Sequence, residues 1–165
     1  MLSDTECPIV HLSDFEQRLA KALSREREAK CREANAKATP YGGLDVADCD
    51  IIGVTGELAF CKLFGTWPDL TTTPRKGGHD TIYCGQFIDV KTRGGQFTDL
   101  LVKTDKRELS EGWFALMQLI GEAPTGARFL GFFPCEDTFQ EKYLTTLNGN
   151  TVYLVPRTEL LHSLL

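Results

Sequence analysis

The stretch GGHDTIYCGQFIDVKTRGG, Gly77–Gly95, decides how this chain is read. Two runs of β-branched and aromatic residues, TIYC and FIDVKT, stand between glycine pairs. They are joined by Cys84-Gly85-Gln86, so they read as a short β-hairpin. Side chains alternate along a strand. Ile88 and Val90 therefore point one way, into a core, and Asp89 and Lys91 share the opposite face. Asp80 opens the preceding strand, and a hairpin brings it close to Asp89.

Upstream, Ser13-Asp14-Phe15-Glu16 is a capping box that starts a long N-terminal helix, about residues 13–37. Phe15, Leu19, Ala22 and Leu23 are expected to form its apolar stripe, and its far half, rich in alanine and charge, reads as solvated. Pro40-Tyr41-Gly42-Gly43 ends it in a loop. A second helix, DIIGVTGELAFCKLFG, is expected to be capped by Asp48 or Asp50 and stopped by Gly65. It is apolar nearly all round and hence buried, with Glu57 the one acid in its middle. Downstream come the strand-like runs DLLVK, WFALMQLIG, RFLGFFP and TVYLVP, a hairpin signal at Asn148-Gly149, and a short closing helix TELLHSLL capped by Thr158. Two helices, a run of strands and a short helix imply one α+β domain, residues 1–165, with helices laid against a mixed sheet.

At 165 residues and 42% hydrophobic, the chain has material for one real core. No apolar run reaches the ~18 residues of a membrane helix. The N-terminus has no basic-then-apolar signal pattern, which points to the cytoplasm. The six cysteines form no C-x-x-C pair and no zinc spacing with histidine, and they read as small buried thiols. The net charge of −5 argues against a generally basic nucleic-acid binder. Residues 75–107 nevertheless carry seven basic and four acidic side chains, and fields act within about 8–10 Å, so a basic face fits on an acidic molecule.

An acid inside an apolar helix needs a counter-charge. Three carboxylates, those of Glu57, Asp80 and Asp89, gathered at one point repel each other unless a hard divalent cation lies between them. Mg²⁺ takes oxygen ligands, keeps several waters and also binds phosphate. By itself Asp-x-Lys is a weak signal: Glu28-Ala29-Lys30 matches it on the charged helix, and a surface ion pair worth about 0–1 kcal/mol is the plain alternative. The company of Asp80, Glu57 and the surrounding bases strengthens it.

With these residues in place, the chain resembles the PD-(D/E)xK nuclease superfamily. Glu57 in GELAF, Asp80 in GGHD, and Asp89 with Lys91 in FIDVKT follow its order, and the match covers roughly Asp48 to the C-terminus. The later strand pair WFALMQLIG…RFLGFF and the closing VYLVPRTELL are similar to the small members found in phages and prophages. The resemblance implies a restriction-endonuclease-like fold, a central mixed β-sheet flanked by helices. It also implies Mg²⁺-dependent (or Mn²⁺-dependent) hydrolysis of DNA. Asp80, Asp89 and the main-chain carbonyl of Val90 would ligate the ion, Glu57 would complete the shell, and Lys91 would position the attacking water. His79 stands where many members have proline, and residues 104–112 have room for only a turn or two where members often place a helix.

Arg75, Lys76, Arg93, Lys103, Lys106 and Arg107 are the expected nucleic-acid contacts, and Arg25, Arg27, Lys30 and Arg32 could follow a phosphate backbone. Trp67 and Trp113 read as core or loop anchors. His79 reads as a solvated side chain with a lesser claim to aid metal or phosphate. The expected partner is DNA, with no membrane. A homodimer, as a junction resolvase requires, and a phage or host protein partner stay open. The rival reading is a catalytically silent module on the same fold that binds nucleic acid or protein.

Overall fold

The computed structural model describes residues 7–34, 46–73, 78–106 and 111–164. Arg75, Lys76 and Arg107, and the loop Pro40-Tyr41-Gly42-Gly43, lie outside the described residues. In chain order the elements are strand β1 (Ile9–His11), helix α1 (Asp14–Glu33), helix α2 (Val46–Phe64), β2 (Thr81–Tyr83), β3 (Gln86–Arg93), β4 (Leu100–Lys103), β5 (Trp113–Leu119), β6 (Gly126–Pro134), the one-turn helix α3 (Cys135–Thr138), β7 (Leu144–Leu147) and β8 (Asn150–Val155). This is a mixed α+β architecture.

Two sheets form. A five-stranded mixed sheet has the order β1-β6-β5-β3-β2, in which β3 and β5 run parallel and the other neighbours antiparallel. A three-stranded antiparallel sheet has the order β4-β8-β7. The expected mixed sheet with helices against it forms, but the helices cover one face only and a second sheet covers the other. α2 lies across β1, β3, β5 and β6 on one face, with α1 packed on α2, while residues of the small sheet pack against the other face.

Alternation along the strands sorts the two cores. On the helix side, Val54, Leu58, Phe60 and Cys61 of α2 meet Ile88, Val90, Ala115, Met117 and Phe129. Between the sheets, Phe114, Leu116, Leu130 and Phe133 meet Leu100, Val102, Tyr153 and Val155. Ile88 and Val90 thus face the helix, as the alternation predicts, and Asp89 is buried on the other face of β3.

Both hairpins form as read. Cys84 and Gly85, both at positive φ, connect Tyr83 to Gln86, and Asn148 with Gly149 connects Leu147 to Asn150; consecutive positive φ values match the right-handed twist of the flanking strands. The capping box at Ser13 is present in both directions, Ser13 N–H to Glu16 Oε2 at 2.6 Å and Glu16 N–H to Ser13 Oγ at 3.3 Å. Gly65 terminates α2 at φ 64°.

Other expectations are corrected. α1 stops at Glu33 rather than near residue 37. Its buried face is Ala20, Leu23 and Ser24, whereas Phe15 is 67% exposed and Ala22 is exposed. α2 begins by Val46, so Asp48 lies in its first turn and Asp50 further inside, and neither is its cap. The closing segment is not a helix. After a single turn at Arg157–Glu159, Leu161 bridges to Phe132 by main-chain hydrogen bonds of 2.6 and 2.8 Å. β1 and β7 were not anticipated. All six cysteines are free thiols, and they are not uniformly buried: Cys7, Cys61 and Cys135 are, while Cys84 is exposed at its hairpin tip. Among the described residues no helix is long and apolar enough to cross a membrane.

Candidate active site

Asp80 extends the β2–β3 hairpin by one rung. Its N–H donates to Ile88 O at 2.8 Å, so Asp80 stands just ahead of the Thr81–Ile88 pair that ends the register, against the stretch of β3 that carries Asp89. Asp80 Oδ2 accepts from Val90 N–H at 2.7 Å. Burial, then the negative charges of Glu57 and Asp89, push the Asp80 carboxyl up to about 7, although Lys91 and the Val90 N–H oppose this. That balance means the four residues of the sequence pattern share one electrostatic neighbourhood, which burial from water strengthens.

Asp89 is 4% exposed. Lys91 Nζ donates to its Oδ1, and Lys106 Nζ stands 3.4 Å from its Oδ2. Burial works against the charge on Lys91, but Asp89, Asp80 and Glu57 together hold its pKa above the ordinary lysine value. Lys91 is therefore a fixed cation near neutral pH. Its ammonium also lies 5.4 Å from the centroid of the Phe114 ring, a cation–π distance.

Glu57 arrives from the middle of α2 because Gly56 allows the helix to sit directly on β3. A methyl group at Gly56 would fall 1.8 Å from Thr92 Oγ1. The Glu57 carboxylate is gripped by Arg27 of α1, whose Nη1 reaches both oxygens at 3.1 and 2.9 Å. The same guanidinium donates to the main-chain oxygens of Asp69 (2.7 Å) and Thr71 (3.2 Å). One arginine thus neutralises Glu57 and holds the loop after α2.

The expected convergence of all three acids on one point is not seen among the described residues. Among the described residues, no three His, Cys, Asp or Glu side chains stand close enough to hold a metal, because Glu57 turns to Arg27 and Asp89 to two lysines. The donor chemistry that suits a hard cation is that of the two neighbouring carboxylates Asp80 and Asp89, with waters filling the other positions. Of the expected nucleic-acid contacts, Lys106 is a partner of Asp89, Arg93 lies 5.0 Å over the Phe97 ring, and Lys103 sits half-buried at the end of β4 on the same side as Leu101. On α1, Arg32 pairs with Glu28 and Lys30 with Glu33, which leaves Arg27 as the one of that group tied to the site.

Arg27 was named only as a possible phosphate-backbone contact, and its grip on Glu57 was missed. Its signal lies in the spacing of Ala20, Ser24, Arg27 and Cys31, one helical face marked by small residues. Cys135 was missed as well. Its thiol is pushed up to about 12, first by burial and then by Asp89, against Lys91 and Lys106, so it is an inert neighbour rather than a nucleophile.

Beside Asp80 opens a cleft of about 520 Å³ lined by Thr66, Trp67, Pro68, Asp69, His79 and Ile82 among others. His79 is stacked on Phe87 at 4.1 Å between ring centres. Trp113 packs against the helix-side core as expected, but Trp67 is no anchor: it is 85% exposed. No family model, curated protein or solved structure matches this chain.

Proposed function

We propose that this protein is a metal-dependent nuclease that hydrolyses DNA phosphodiester bonds on a restriction-endonuclease-like core. The observation that carries the reading is the neighbourhood of two carboxylates and a lysine at the start of β3: Asp80 Oδ2 accepts from the Val90 N–H, and Asp89 on one side of Val90 accepts from Lys91 on the other. Asp80 and Asp89 would hold Mg²⁺, with Glu57 acting through water or after release from Arg27. The ion, when bound, supplies Lewis-acid stabilisation of charge on a phosphoryl oxygen. Lys91, as a cation, donates hydrogen bonds that orient the attacking water and faces the developing negative charge. Lys106 shares the charge of Asp89 and steadies that carboxylate.

The test is incubation of supercoiled and linear DNA with Mg²⁺ or Mn²⁺. The wild type should cut and EDTA should stop it. Lys91→Ala and Asp89→Asn should each lower the rate by about a hundredfold or more. Intact DNA with wild type, or equal cutting by either variant, overturns the proposal.

One observation favours a second reading, a silent binding module. Glu57 and Asp89 already have protein cations, Arg27, Lys91 and Lys106, so charge balance there does not demand an ion. Calorimetric titration with Mg²⁺ and Mn²⁺ separates the two. Heat of binding that disappears in Asp89→Asn supports the nuclease, and none in the wild type supports the module.

A further inference from the structure

Trp67 is the least expected side chain near the site. A tryptophan left 85% in water usually marks a mobile tip, yet its main chain is fastened on both sides. Thr81 Oγ1 donates to Trp67 O at 2.8 Å, and Asp69 N–H donates to Asp80 O at 3.1 Å. A rigid backbone presenting an exposed indole is a platform, because little conformational freedom is lost when something lies on it. The platform borders the cleft that Asp80, His79 and the half-exposed Ile82 also line.

We propose that this cleft receives an unpaired nucleobase, with Trp67 as its stacking surface, and that the substrate is single-stranded or frayed DNA. The nearby carboxylates are already engaged, Asp69 Oδ1 by the Thr71 N–H and Asp80 Oδ2 by the Val90 N–H, so the indole face is what this wall offers a ligand, and a base face is the part of a strand that stacks on it. In an intact duplex the base faces are covered by their neighbours, so an indole can stack only on a base already out of the helix or pulled out at a cost of a few kcal/mol. The cleft lies within the usual size of a small-ligand site. The identity of the ligand rests on the nuclease reading, with the scissile phosphate beside Asp80 and the neighbouring base on Trp67.

The experiment uses the full chain carrying Lys91→Ala, to suppress cutting, in Mg²⁺. Three labelled probes are titrated: a short oligo(dC), an abasic strand of the same length, and a duplex of the same length. Oligo(dC) should bind tightest and quench tryptophan emission. Trp67→Ala should weaken oligo(dC) about tenfold or more, the worth of one stacked base. Trp67→Phe should recover most of that loss, and the abasic strand should bind alike to all three proteins. Trp67→Ala binding oligo(dC) as well as its parent, or a duplex bound with equal dependence on Trp67, overturns the proposal. Plasmid cutting by the wild type is read separately. Cutting without stacking sinks only the cleft assignment, and stacking without metal-dependent cutting sinks only the hydrolysis.

Discussion

At the scale of single residues, one charge of the site folds at a cost to stability. It belongs to Asp80, whose carboxyl is raised to about 7 by burial and by Glu57 and Asp89. The folded state therefore binds more protons than the unfolded chain between the ordinary aspartate value and about 7, so stability falls as pH rises through that window. Asp80→Asn, which keeps an oxygen for the Val90 N–H, removes the charge. Its melting temperature should exceed that of wild type at pH 8 and draw level near pH 5; a gap that does not change with pH would contradict the assigned cause. The acids were legible because alternation alone separates Asp89 and Lys91 from Ile88 and Val90, and because Glu57 is the one charge inside an apolar run. Arg27 was not. Phe15 and Ala22 suggested the wrong stripe on α1, and the buried face is written in Ala20 and Ser24, residues whose hydropathy says little.

At the scale of elements, the contact between α2 and β3 sets where Glu57 can stand. Gly56→Ala would drive a methyl into Thr92, a β-branched residue with no flexible end to swing aside. The expected loss is about 1–3 kcal/mol or more by urea denaturation. Thr92→Ala should restore part of it and cost little alone, since Thr92 Oγ1 is buried without a hydrogen-bond partner. An unchanged midpoint for Gly56→Ala would mean that the helix does not approach so closely. Helices with caps and strands with bracketing turns could be read from the chain. β1 was too short to give a period, and β7, Leu-Thr-Thr-Leu, is too polar to look like a strand without β8 beside it. The segment TELLHSLL has apolar spacing that suits a helix, but Leu160 is needed in the inter-sheet core and Leu161 at the bridge to Phe132; tertiary pairing overrode local preference.

At the scale of the whole molecule, a bound cation should act on stability as well as on chemistry. If Asp80 and Asp89 take up Mg²⁺, the ion binds the folded chain and not the unfolded one, so the melting temperature should rise with Mg²⁺ and fall back with EDTA. The rise should be large at pH 8 and small at pH 5, where Asp80 holds its proton. A rise that survives in Asp89→Asn would place the ion elsewhere. The second sheet was the least legible part, because β4 finds β8 across some fifty residues and neither strand announces its partner. That distant pairing has a genetic consequence. The chain crosses from β3 to β5 by way of β4, and the turn directly after β4 carries the lysine that stands against Asp89. A premature stop codon at Gln140 would spare every acid of the site and still delete the strand on which β4 is zipped. The crossover would come loose, taking Lys106 with it, so a lesion after β6 would be felt at a carboxylate fifty residues upstream.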